Sequence, residues 1–342
     1  MKGKFYSVIS AVLFASLLFL GTIESAQSQV LKNMKFLSGP TGTTWYSQAA
    51  AFSGIASNKL GISVDAMTGS AIGNVIQIEK GKAPAGLTFA SYLPAMATGK
   101  VVAQIKDDEY FKDPVSKTRV LCYTTTAAYV LLVDAKSPYR KISDLKDKPI
   151  RYVTYPSGFT ARYVPEQILS AGGITYDGIK KAGGRVDIVG KYQEACDLLA
   201  KNSADVIAYT MATNAQAAAL AELESQKKFR ILALEPKATQ EVMKEIPLIL
   251  TTIKKGLHES ITEDTQVLAD ITTWVVSADV PDETVTVILE GLVSNMDTMA
   301  QVGNIEFSGM TAKDLSRLYG KGKQPPMHPA ALKFYKEKGA IP

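Results

Sequence analysis

Two histidines and two cysteines in 342 residues leave little material for metal or nucleophilic chemistry. A zinc site draws four nitrogen or sulfur ligands from short spacings, and neither His258 nor His328 has a second histidine or a cysteine near it. His258, Glu259 and Ser260 are adjacent on one segment, which does not set nucleophile and base within reach of each other, and no G-x-S-x-G elbow occurs. The turn GPTGTTW at 39–45 lacks the lysine of a nucleotide loop. No cofactor is implied, and the chain reads as one that holds a molecule without transforming it. Basic blocks interleaved with aromatics are missing too, and a formal charge of +5 is modest, so nucleic acid is not an expected partner. The two thiols permit one disulfide in an oxidising compartment. Cys122 sits in the apolar run RVLCY, and Cys196 keeps helical spacing with Leu199. Both read as separately buried core thiols.

Long hydrophobic runs are also scarce. The one candidate, Val8–Leu20, follows Lys2 and Lys4 and precedes the small residues Ala26-Gln27-Ser28. That order is the pattern of a secretory signal over 1–28. The run is shorter than the roughly 18 residues of a spanning helix, although a retained N-terminal anchor is the other reading. The remainder is expected to be exported, soluble and monomeric. It exceeds what one core usually organises, which predicts two domains.

What the sequence does have is a recurring strand, small-residue turn and helix, the alternation of an α/β protein with mostly parallel sheets. Met34–Leu37 leads through SGPTGT into a helix from Thr44 to about Asn58. Ile62–Ala66 leads through Thr68-Gly69-Ser70 into a helix from Ala71 to Lys80. Lys148–Thr154 leads through Tyr155–Thr160 (YPSGFT) into a helix from Ala161 to Ala171. TRVLCYTTTAAYVLLVD (118–134) reads as two extended stretches, and the chain loses a clear period between Leu234 and Ile271. Each turn offers unpaired N–H groups and the positive end of a helix to one spot, which suits a small anion. The recurrence suggests two lobes whose turns face each other across a cleft.

The motifs, taken in order, resemble the TAXI subfamily of solute-binding proteins of tripartite ATP-independent periplasmic (TRAP) transporters. Gly39–Tyr46 is similar to the family's glycine-rich turn ending in G-T-W/Y-Y, and Thr68-Gly69-Ser70 with Asn74 to its G-S-x-x-N. Ile142–Lys148 is similar to S-L-x-D-L-K-G-K, and Met327–Ala331 to L-H-P-G-A. Three departures stand out: Phe159 replaces a glycine of G-S-G-T, Thr43 stands where a second glycine is common, and Ala90-Ser91-Tyr92 where an acidic residue often follows.

The resemblance implies a two-lobed periplasmic binding fold of type II-like design, with lobe I over 29–122 and 267–342 and lobe II over 123–266, joined by crossing strands. It implies capture of a small organic anion (an amino acid such as glutamate, a dicarboxylate or an oxo-acid) and delivery to a TRAP permease. Input to a membrane sensor kinase is the alternative. The expected ligand-binding residues are Gly42, Thr43, Thr44, Trp45, Tyr46, Gly69, Ser70, Asn74 and Ser91 from lobe I. From lobe II come Ser157, Gly158, Phe159, Thr160, Arg162 and Thr213. A helix cap is the structural alternative for the serines and threonines. Asn74 also reads as a turn brace, and Arg151 and Arg162 are the candidate cations.

Overall fold

The structure, a computed structural model, describes residues 30–342 apart from 100–110, 158, 247 and 303. The signal segment read at 1–28 and the site residue Gly158 lie outside the described residues. In chain order the first half runs β1 (Asn33–Leu37), α1 (Thr44–Ile55), β2 (Ser63–Met67), α2 (Ala71–Glu79), β3 (Ala85–Phe89), α3 (Leu93–Thr98), β4 (Thr118–Asp134), β5 (Arg151–Thr154) and α4 (Thr160–Ala171). It continues with α5 (Tyr176–Lys181), β6 (Arg185–Ile188), α6 (Tyr192–Ala200), β7 (Val206–Ala212), α7 (Ala218–Gln226), β8 (Phe229–Ile231), α8 (Pro236–Glu245), β9 (Ile249–Ile253) and β10 (Thr265–Ser277). Four helices follow: α9 (Asp282–Val293), α10 (Met296–Val302), α11 (Ala312–Leu315) and α12 (Pro329–Glu337). No described helix is long and apolar enough to cross a membrane.

The strands join in the order β2-β1-β3-β10-β4-β7-β5-β6, with β8 on β4 and β9 on β10. Each flank is parallel, β2-β1-β3 on one side and β7-β5-β6 on the other. The middle is antiparallel, because β4 and β10 run alongside each other from one flank to the other. β4 is thus one strand of 17 residues where the sequence suggested two. Its centre, Thr124-Thr125-Thr126, has the composition of a turn, yet Thr124 and Thr125 are buried and their hydroxyls find partners within the ribbon. The ladder between β4 and β10 slips between Ile271 and Thr273. An extra residue there bends and twists the ribbon locally.

Two separate apolar cores lie on either side of that slip. One gathers Met34 to Ala127 with Ile271 to Tyr335, around Phe36, Phe52 and Trp274, whose rings lie 4.7 to 5.7 Å apart. The other gathers Ala128 to Ala269. We call the bodies built on them lobe I and lobe II. Cys122 belongs to the first core and Cys196 to the second, and both are free thiols. Burial raises both pKa values, that of Cys196 to about 12, so neither is a ready nucleophile.

Local chemistry sets the helices that matter here. Thr43 caps α1, accepting from the Tyr46 N–H at 3.3 Å, and Ser70 caps α2, accepting from the Gly73 N–H at 3.2 Å. α1 ends earlier than expected, passing into a wide turn over Ala56–Leu60 that Gly61 closes at φ +69°. A left-handed backbone there is cheap only for glycine.

Candidate functional site

Three helices begin at one small cavity between the lobes. The starts of α1 (Thr43, Thr44, Trp45) and α2 (Ser70, Ala71) line it from lobe I, and that of α4 (Phe159, Thr160) lines it from lobe II. The first N–H groups of each helix have no partner within the helix, and α4 has no side-chain cap at all. Gly39, Pro40, Gly42 and Phe89 complete the lobe I wall. Tyr192, Tyr209, Thr210, Met211 and Ala217 complete that of lobe II, and Ala127 of β4 forms the floor between them. About 60 Å³ is open to the centre of a water-sized sphere, room for a group of a few heavy atoms.

No Lys, Arg, Asp or Glu lines this cavity among the described residues. Its polarity comes from hydroxyls and helix ends; the rest is aromatic or aliphatic. Burial lifts the Tyr192 phenol to about 12 and raises Tyr209 further, so both stay neutral. Trp45 stands with its ring 4.3 Å from that of Phe89. Its indole N–H donates to Thr272 Oγ1 at 2.9 Å, so the nitrogen belongs to the ribbon and only the ring faces the cavity.

Of the residues expected from the sequence, Gly42, Thr43, Thr44, Trp45, Ser70, Phe159 and Thr160 are brought together around the cavity. Tyr46, Gly69, Asn74, Ser91, Ser157, Arg162 and Thr213 are not among the residues lining it. Asn74 is buried and donates to the carbonyls of Ser38 and Leu87, both at 2.8 Å, and of Leu37 at 3.3 Å, while accepting from the Ser70 N–H. It clamps the ends of β1 and β3 to the start of α2. Gly69 fits this clamp for lack of a side chain: a Cβ there would sit 1.9 Å from Asn74 Oδ1. Asn74→Ala strands several buried carbonyls at once, and is expected to cost on the order of 2–4 kcal/mol of stability by denaturant titration. A loss below about 1 kcal/mol would show that the clamp is dispensable.

The remaining candidates have partners elsewhere. Ser91 donates its N–H to buried Asp270 at 3.1 Å. Thr213 donates to Glu306 Oε1 at 2.5 Å, and Glu306 also accepts from the Thr126 N–H, a lobe-to-lobe contact beside the ribbon. Arg162 lies over the Tyr176 ring at 5.8 Å, its Nε 3.5 Å from Glu166 one turn on, and its Nη1 3.5 Å from Ser157 Oγ. Arg151 is bound bidentately by Asp205, at 2.6 and 3.0 Å. Both candidate cations are therefore engaged within lobe II. His258 is likewise occupied, with Nδ1 2.9 Å from Glu224.

Sequence reasoning missed the aromatic wall. Phe89 ends β3, Tyr192 opens α6, and Tyr209 and Met211 lie within β7, and only the order of strands in the sheet brings them to one place.

The profile of the NMT1-like family matches residues 36–339. No curated protein matches the sequence. Among solved structures, one described as a periplasmic transporter superposes with a TM-score of 0.52 at 13% identity, over 90% of this chain and 93% of that one. PhnD1 from Prochlorococcus marinus, solved in complex with methylphosphonate, gives 0.50 at 13% identity, over 91% and 99%. At such identities the likeness is one of fold, a mixed α/β arrangement in two lobes.

Proposed function

The chain belongs to the NMT1-like family, and on that premise we propose that it is an extracytoplasmic solute-binding protein, not an enzyme. Its ligand is a small organic anion, gripped between the lobes and handed to a membrane permease. One observation carries the reading: three helix N-termini, two from one lobe and one from the other, open on one cavity with no charged side chain in its wall among the described residues. The negative group meets N–H groups and the hydroxyls of Thr44 and Thr160. The apolar remainder meets Trp45, Phe89, Tyr192 and Tyr209.

Magnitudes favour this arrangement. One helix end is worth about 0.3–1 kcal/mol to an exposed anion and up to about 2 when partly buried. Three ends with several hydrogen bonds are of the order of the roughly 8 kcal/mol of a micromolar ligand. An arginine in the cavity is not required. The lobes then behave as bodies that close about the ribbon, with the segment 1–28 directing export. The order of motifs from Gly39–Tyr46 to Met327–Ala331 supports a TAXI-type protein and hence a TRAP permease as partner.

Calorimetry and thermal melting against amino acids, oxo-acids and mono- and dicarboxylates test the reading. At least one compound is expected to bind and to raise the melting temperature. Failure of every member would overturn the anion site, and recovery of a chemically altered compound by mass analysis would overturn a binding-only role.

A further inference from the structure

Beside the inner cavity lies a second, much larger one of about 730 Å³ on the same measure, and the two share Pro40, Ser70 and Phe159. Lobe I contributes the ends of β1 and β2 and the turn before α2, and lobe II contributes Phe159, Gly190 and Lys191. Lys35, Lys82 and Lys191 line this groove, and no Asp or Glu is among the described residues that line it. Asp65 lies beside Lys35 across the β1-β2 ladder, and the Glu194 carboxylate accepts from the Gly190 N–H at 3.3 Å. All three are exposed, and no carboxylate is paired with them among the described residues. Elsewhere on this surface lysines do have such partners: Lys227 with Asp134, Lys228 with Glu259, Lys254 with Asp264. Three ammonium groups drawn from separate elements of both lobes face one concavity and outnumber the two carboxylates beside it, Asp65 and Glu194, which leaves a positive excess at the rim of the inner cavity.

Volume links the two spaces. An inner cavity of about 60 Å³ takes a carboxylate with a short stem and little more. A longer solute must project past Ser70 and Phe159, and the lysine groove is what it meets there. We propose that the groove is a second anionic subsite and that the natural ligand is an elongated dianion. One acidic group with its apolar stem fills the inner cavity, and the other (carboxylate, sulfonate or phosphonate) lies among Lys35, Lys82 and Lys191. Because Lys191 stands on lobe II and the other two on lobe I, the outer anion also ties the lobes together. This inference rests on the anion-site reading above and narrows its substrate class.

The test compares, by calorimetry, straight-chain monocarboxylates with α,ω-dicarboxylates, ω-sulfonates and ω-phosphonates of matched length. It uses the wild-type protein and the variant Lys35→Met/Lys82→Met/Lys191→Met. Removal of the same charge at Lys321, Lys323 and Lys336 serves as control. The wild type is expected to bind a dianion of one preferred length at least 30-fold more tightly than its monoanion. The groove variant loses that margin while its affinity for monoanions stays within about 3-fold, and the control keeps the margin. The dianion margin is also expected to shrink with added salt. Monoanions binding as tightly as dianions, or a margin that survives in the groove variant, would overturn the second subsite and leave the inner anion site standing. Binding of neither series would overturn both.

Discussion

Leucine in place of Ala71 is expected to abolish solute binding, with an affinity loss of at least 100-fold, while leaving a folded protein. Ala71 opens α2 and lines the inner cavity. Three added carbon atoms are a large addition to the wall of so small a cavity. Alanine and leucine are both strong helix formers, so the helix itself is not weakened. Ala71 is also buried in the lobe I core, so an overpacking cost of about 1–3 kcal/mol is expected beside the loss of binding. Ala217→Leu places the same obstruction on the opposite wall, from lobe II, and is expected to act likewise. Full affinity in both variants would move the ligand out of this cavity. A loss of cooperative unfolding in both would instead show that these alanines are packing residues.

Asp270→Asn is expected to remove a loss of stability that the wild type suffers as the pH rises from about 4 to 6. Asp270 lies on β10 between the two cores and is buried, accepting from the N–H groups of Ser91 and Ile271 at 3.1 and 2.8 Å and from the Tyr129 hydroxyl at 3.2 Å. Burial outweighs these bonds and lifts its pKa from 3.8 to about 6. The sign follows from linkage. Between about pH 4 and 6 the folded protein holds a proton that the unfolded chain gives up, so stability from this group is complete below pH 4 and is lost as the pH rises through 6. Two pKa units correspond to about 3 kcal/mol. An asparagine keeps an acceptor for the two N–H groups and does not ionise. The variant therefore gains over wild type by about 1–3 kcal/mol at pH 8 and draws level near pH 4. Glu166 and Glu306 are also raised by burial, so the difference between variant and wild type is the measurement, not either profile alone. A variant that loses more stability at pH 8 than at pH 4 would show that the ionised carboxylate is favoured by the fold.

How much of this was visible in the sequence depends on how local its cause is. The caps Thr43 and Ser70 and the strands on either side of them were legible, because capping and periodicity act over a few residues. The unbroken β4 was not, since a strand buried on both faces shows no alternation and its central threonines imitate a turn. α8 was missed because its buried face is a thin stripe of Ala238, Thr239 and Val242 in a polar helix. α12 is hidden in a tail whose composition is rich in Gly, Lys and Pro, although Pro329 at its first position and His328 as its cap are start signals. Around the cavity, Gly42, Thr43, Ser70 and Phe159 are turn residues that the sequence pointed to, whereas Gly69 and Ser157 lie off its lining and the aromatic wall was not anticipated. The orientation of Arg162 was within reach of sequence reasoning: Glu166 four residues on is an ion-pair partner on the same helix face.

The two cores also differ in how the chain supplies them. One is drawn from a single uninterrupted stretch, whereas the other needs both the beginning of the polypeptide and its last quarter. A chain delivered N-terminus first can therefore condense the middle body while its opening strands still lack β10 and the closing helices. Until the last helices arrive, those strands wait with an uncovered apolar surface. For this architecture vectorial synthesis or translocation sets an order of assembly opposite to the order of residues, and the half that appears first is completed last.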